Sequence, residues 1–119
     1  MPFKTLLTKL VEDVPGASGA ILADWEGESV EQYSYGDPFE IKVTAAHLGI
    51  LLAQLKELKA KYPTGPVREG VISTDRQHVI VGAVGDDYAL VMTMNQDALP
   101  LVALRSFRAT AGILKKEIY

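Results

Sequence analysis

Side chains able to do chemistry are few in this chain, and they are scattered. His47 and His78 are far apart in sequence, and neither has a second His, Asp or Glu at i+3 or i+4. A zinc site needs three or four such groups converging, so that spacing gives no metal expectation. Ser73-Thr74-Asp75 offers hydroxyls and a carboxylate, yet no His lies close enough in sequence to suggest a triad, and there is no Gly-x-Ser-x-Gly elbow. Gly82-Ala83-Val84-Gly85-Asp86-Asp87 contains glycines but lacks the Lys-Ser/Thr of a phosphate-binding loop and does not open a helix. Asp86-Asp87 reads as a solvated turn, not as an acid/base pair. With no cysteine, disulfides, thiolate metal sites and cysteine catalysis are excluded. The expectation is a protein that is not an enzyme and carries no cofactor. What it binds then becomes the question.

The composition sets the frame for that question. Hydrophobic residues are 48% and charged residues 23% of 119, enough apolar material for a folded core and close to an ordinary globular protein. One domain spanning residues 1–119 is expected, since a chain of this length buries roughly two-thirds of its unfolded surface. No apolar run is long enough to cross a membrane and no signal peptide is evident, so a cytoplasmic location is the default. Net charge is −3 but unevenly placed. Residues 1–41 hold eight acids against Lys4 and Lys9, whereas residues 42–119 hold ten bases and seven acids. An acidic first hairpin beside a mildly basic remainder argues against nucleic acid as a partner.

The elements that position these residues follow from periodicity. Phe3, Leu6, Leu7, Leu10, Val11 and Val14 recur at helical spacing and predict a helix over 3–14, stopped by Pro15-Gly16. Residues 18–24 read as a mostly buried strand and 29–35 as an alternating one. Asp24-Trp25-Glu26-Gly27 supplies the turn between them, and Gly27 is free to take positive φ. Gly36-Asp37-Pro38 punctuates. From about Ile41 to Tyr62 there is no proline and helix formers dominate, so a long helix is expected, halted by Pro63-Thr64-Gly65-Pro66. Three β-rich runs follow at 67–73, 78–84 and 88–94, at hairpin separations. A last helix runs to about Ile118, capped by Asp97 or Gln96, with Pro100 tolerated in its first turn. The order α-β-β-α-β-β-β-α makes an α+β fold with a five-stranded antiparallel sheet. The first and last helices are expected on one face and the long helix on the other.

The long helix has two apolar sides. Ile41, Ala45, Leu48, Leu51, Leu52, Leu55, Leu58 and Tyr62 form the stripe expected to face the sheet. Opposite lie Val43, Ala46, Gly49, Ile50, Ala53 and Ala60, where a monomer would place charges. One reading is a helix–helix contact across a dimer or a docking groove for a partner. The other is that alanine is simply a good helix former that tolerates exposure. The run holding Val71 admits two readings as well, an edge strand open to a second copy or an internal strand. Trp25, at the tip of the acidic hairpin, either presses on a partner's basic surface or folds back over an apolar edge. Arg105, Arg108, Lys115 and Lys116 read as the solvated side of the last helix.

The hairpin from Gly19 to Val30 with its "GAILAD-x-EGE" sequence, the small-residue helix from Thr44 to Leu58, and Val79-Ile80-Val81 followed by Ala89-Leu90-Val91-Met92 resemble the roadblock/dynein light chain family. The resemblance extends over essentially the whole chain, and profilin-like and longin-type sheets share parts of the element order. It implies a dimer in which the long helix and the following strand pair across a two-fold. It also implies service as a platform for Ras-like small GTPases or as an adaptor on motors and signalling complexes. The bacterial gliding-motility type has terminal extensions that this chain lacks, which leaves a GTPase-activating role without support. The expected function is a homodimeric, non-enzymatic regulator or scaffold of a Ras-like small GTPase. Val43, Ala46, Gly49, Ile50, Ala53, Val71 and Trp25 are the expected interface residues. The alternatives are a structural adaptor with no nucleotide-dependent binding, and a small-molecule sensor.

Overall fold

The computed structural model describes residues 3–26, 28–57 and 67–119. Three helices and five strands follow the expected order: α1 (Phe3–Asp13), β1 (Ala17–Asp24), β2 (Ser29–Ser34), α2 (Pro38–Glu57), β3 (Glu69–Ser73), β4 (Gln77–Val84), β5 (Tyr88–Asn95) and α3 (Pro100–Ile118). The strands form one antiparallel sheet in the order β2-β1-β5-β4-β3. β1 and β5, the two most buried strands, pair at the centre, and β2 and β3 are the edges.

Alternation along the strands splits the core in two. Ala20, Leu22, Ile80, Leu90, Met92 and Met94 face one way and meet Leu7, Leu10 and Val11 of α1 and Phe107 and Leu114 of α3. Ile21, Val79, Val81 and Val91 face the other way and meet Ile41 and Ala45 of α2. α1 and α3 therefore share one face and α2 takes the other, as their apolar stripes require.

Two glycines let the helices sit close to the sheet. A Cβ on Gly19 would stand 2.8 Å from the Ile41 Cδ1, and one on Gly82 would stand 2.7 Å from the Phe107 Cε1. Both distances are shorter than carbon atoms tolerate, so at these places the backbone itself is the packing surface.

Several boundaries differ from the sequence expectation for local reasons. α2 starts at Pro38, one turn before Ile41, because Asp37 caps it: the Asp37 carboxylate accepts from the Phe39 N–H at 2.9 Å. α3 is not capped by Asp97 or Gln96. Its N-cap is Leu99, without a side-chain hydrogen bond, and Pro100 opens the helix. Asn95 instead organises the preceding turn, accepting from the Asp97 N–H at 3.1 Å. β3 begins at Glu69, two residues after the expected start. The turn position Gly27, the helical run from Leu58 to Tyr62 with Ala60, and the break at Pro63-Thr64-Gly65-Pro66 lie outside the described residues. So do the side chains of Leu52 and Leu55.

Candidate protein interface

On the outer surface of α2 several apolar side chains are left exposed. Once the helix begins at Pro38, Phe39, Val43, Ala46, Ile50 and Ala53 fall in one stripe at alternating four- and three-residue spacing. That spacing is the seam along which two helices interdigitate. Phe39 is 68% exposed, Ile50 54% and Val43 39%, while Ala46 and Ala53 are half-buried. The inward stripe is Ile41, Ala45 and Leu48, packed on the second core. Leu51, expected to face the sheet, is instead 41% exposed beside Ile50 and widens the outer apolar strip. Gly49 belongs to α2, but its surroundings lie outside the described ones.

α2 starts beside the edge strand β2, where the Gln32 side-chain amide donates to the Pro38 carbonyl at 3.2 Å. It then packs over β1, β5 and β4. At the opposite edge, no strand among the described residues pairs on the outer side of β3. Ala83 N–H donates to the Arg68 carbonyl and Thr74 N–H to the Gln77 carbonyl, both at 2.9 Å. In an antiparallel ladder hydrogen-bonded pairs alternate, so Gly70 and Ile72 face β4 while the backbones of Glu69, Val71 and Ser73 point off the sheet. The Val71 side chain, opposite Ile80, lies on the α1/α3 face and is 40% exposed. Its side chain and the α2 stripe thus occupy different faces. What Val71 shares with that stripe is the open edge of its strand.

The edge is anchored from behind. Arg108 Nε donates to Glu69 Oε1 at 2.7 Å, and its terminal nitrogen contacts the same oxygen. This hydrogen bond is the main reason the Arg108 guanidinium is held even more firmly protonated than usual. Arg108 therefore ties α3 to β3 and is more than a solvated charge.

Trp25 does not reach outward from its hairpin. It is half-buried against the second core, and its indole N–H donates to the Asp86 carbonyl in the β4–β5 turn at 2.7 Å. The Asp24 carboxylate accepts from the Glu26 and Glu28 N–H groups at 3.0 and 2.9 Å, which fixes the turn that aims the indole inward.

The candidate chemical groups resolve into structural ties. Contrary to the sequence reading of Ser73, a histidine is at hand: His78 sits directly across the hairpin, 2.6 Å from the Ser73 hydroxyl through Nδ1. Its Nε2 donates to the Gln96 carbonyl at 3.0 Å. Both ring nitrogens are thus committed to locking the β3–β4 hairpin onto the segment after β5. Beside the first turns of α2, a cleft of about 610 Å³ is lined by Ser18, Asp37, Glu40, Thr44, Arg76, Gln77 and Thr93 among others. Its Ser18 and Thr93 hydroxyls hydrogen-bond each other at 2.8 Å. Among the described residues no group of three His, Cys, Asp or Glu side chains converges on a metal position, and no helix is long and apolar enough to cross a membrane.

A model of the Roadblock/LC7 domain matches residues 3–94, most of the chain. The chain belongs to the Roadblock/LC7 family. Solved structures agree on the fold of this Roadblock/LC7 protein. A Roadblock/LC7 domain from Streptomyces avermitilis is 20% identical and superposes with a TM-score of 0.85, covering 97% of this chain and 96% of that one. MglC from Myxococcus xanthus is 25% identical, with a TM-score of 0.73 over 98% of this chain and 99% of its own. An MglB in a tetrameric arrangement is 18% identical, with a TM-score of 0.84 over 96% of this chain and 85% of its own. Among curated proteins there is no significant match.

The exposed apolar residue of α2 that sequence reasoning missed is Phe39. The signal was present: Asp37-Pro38-Phe39-Glu40 carries a capping Asp, a proline at the first helical position and an acid three residues on.

Proposed function

We propose that this Roadblock/LC7 protein is a homodimeric, non-enzymatic regulator or scaffold that binds a Ras-like small GTPase in the cytoplasm. The observation that carries the reading is the stripe of Phe39, Val43, Ala46, Ile50 and Ala53 on the outer side of α2. Burying exposed apolar surface is favourable by about 25 cal/mol per Å², and small residues let helix backbones approach closely. α2 starts at the β2 edge and packs across β1, β5 and β4, which supports placing Ile50 and Ala53 in the half of the helix farther from β2. A two-fold beside β3 sets the outward backbone of Val71 against that of a second copy and brings the two helices together on one face. An isologous contact of this kind is the commonest form of protein association. The paired helices, rimmed by Phe39 and Leu51, then form the surface offered to the GTPase.

The membership in the family supports the GTPase as partner, through what the sequence resemblance implies for its members. The test is pull-down and titration calorimetry against Ras-like GTPases of the source genome, each loaded with GDP and with a non-hydrolysable GTP analogue. Binding that depends on the nucleotide and is lost in Phe39→Glu and Leu51→Glu is the expected result. Equal binding in both states makes the protein a structural adaptor, and no binding to any of them removes the GTPase reading.

A further inference from the structure

The opposite face of the sheet carries an exposed surface that the α2 stripe does not explain. α3 meets the core through Ala103, Phe107 and Leu114. By helical periodicity Leu101, Arg105, Gly112 and Lys116 fall in one line on the far side of the helix, and all four are exposed. Leu101 is 80% exposed, and Val102 and Ile113, along one flank of that line, are 66% and 42% exposed. Arg108 and Lys115 stand along the other flank.

Neither packing nor helix stability accounts for this ridge. Leu99, 67% exposed, occupies an N-cap that favours Ser, Thr, Asp or Asn, and makes no side-chain hydrogen bond there. The first turn of a helix favours acids, yet α3 has none there and places Leu101 and Val102 instead. Lys115 and Lys116 suit the C-terminal end of the helix dipole, but Arg105 lies too far from that end to do so. Between Asp97 and Glu117 the chain has four bases and no acid. Among the described residues no carboxylate pairs with Arg105, Lys115 or Lys116, whereas Arg108 is held by Glu69.

Exposed aliphatics at one end of a helix and unpaired bases along the rest are the pattern of a helix that lies in a lipid interface. The shape of the ridge favours a bilayer over a protein. Clefts lie to either side of it, but Leu101, Arg105, Ile113 and Lys116 stand outside both, and a Cβ on Gly112 would meet nothing. A convex ridge gives a partner protein no pocket for an anchoring side chain, while a fluid bilayer conforms to it. We propose that the outer ridge of α3 docks on an anionic lipid surface. Leu101 and Val102 enter the boundary between headgroups and acyl chains, and Arg105, Lys115 and Lys116 meet lipid phosphates. Asp97 lies in the turn before the helix, so the end beside it is held by insertion and the remainder by charge. The contact does not rest on the α2 reading. α2 lies on the other face of the sheet, and its outer stripe stays free on a docked molecule.

Co-sedimentation of the full chain with vesicles at physiological salt tests this, with circular dichroism to confirm folding of each variant. Binding to phosphatidylcholine vesicles containing phosphatidylglycerol, and not to phosphatidylcholine alone, is the expected result. Arg105→Gln with Lys116→Gln should lower the partition coefficient about fivefold per base, roughly 25-fold for the pair. Leu101→Ser with Val102→Ser, which leaves the charge unchanged, should lower it by about tenfold or more. No binding to either vesicle overturns the proposal, and so does binding that ignores the lipid charge. Binding that needs the bases but is indifferent to Leu101 and Val102 overturns insertion of the helix end. Capture on immobilised polyglutamate without binding to vesicles would make the partner an acidic protein surface and also overturn it.

Discussion

Phe107 of α3 lies directly on Gly82 of β4: a Cβ at residue 82 would come within 2.7 Å of the ring Cε1 and 3.1 Å of Cζ. That contact seats α3 over β4 and leaves β3 to be held from behind by Arg108 and Glu69, with its outer edge open. Gly82→Ala is expected to destabilise the protein by roughly 1–3 kcal/mol, the usual cost of forcing atoms into a filled core. Coupling is the sharper check. In Gly82→Ala with Phe107→Leu the loss should be smaller than the sum of the two single losses, measured by urea unfolding. Strict additivity would mean the ring moves aside freely.

Trp25 belongs to the core flank, and its substitutions should report stability. Trp25→Phe keeps the packing but drops the indole donor to the Asp86 carbonyl, an expected loss of about 0.5–1.5 kcal/mol. Trp25→Ala also removes the ring from the second core and is expected to cost roughly 2–3 kcal/mol, below the full-burial value because the ring is only half-buried. Denaturant midpoints measure both. A lowered oligomeric mass with an unchanged midpoint would return Trp25 to the interface.

Asp37 sets where α2 begins and so whether Phe39 joins the outer stripe. Asp37→Ala removes the acceptor of the Phe39 N–H and is expected to cost about 1 kcal/mol. Hydrogen exchange should show faster exchange in the first turn of α2 with little change in β1 and β5. Uniform change across the protein would mean the cap is not local.

Much of this architecture was legible in the sequence, and the parts that were not share a cause. The spacing in Phe3–Val14 and the hairpin punctuation after β3 and β4 gave the elements in order, because period and turn chemistry are local. Strand order was not available: β5 inserts between β1 and β4 through pairs such as Ile21 with Val91, which no local pattern encodes. The same holds for the side on which Val71 lies, which depends on its register with Ile80. The sequence leaves Trp25 two orientations because its hydrogen-bond partner, Asp86, arrives from a distant turn. No local pattern sets Ser73 against His78; the hairpin register does. Phe39 was missed for a local reason, the overlooked cap.

Tyr119 closes the far end of the sheet. Its hydroxyl donates to the Asp87 carboxylate at 2.9 Å and accepts from the Asp87 N–H at 3.1 Å, with the ring against Gly85. Desolvation of the phenol, followed by its hydrogen bond to Asp87, raises its pKa above the ordinary value. A raised pKa means the neutral phenol is favoured by folding. Its contribution is complete below about pH 10, the ordinary phenol value, and is lost as the pH climbs through the folded value. Thermal melts should show wild type more stable than Tyr119→Phe at neutral pH, with the gap narrowing above about pH 10. A gap that persists unchanged there would place the contribution in the ring alone.

The pairing of α2 helices is tested most directly by the solution mass of wild type beside Ile50→Glu, by light scattering at micromolar concentration. Ile50 is 54% exposed, so a charge there leaves the fold of a single copy intact. The expected result is a wild-type mass that is an even multiple of 12.9 kDa, halved by the substitution. A wild-type monomer, or an assembly that Ile50→Glu leaves unchanged, would contradict it.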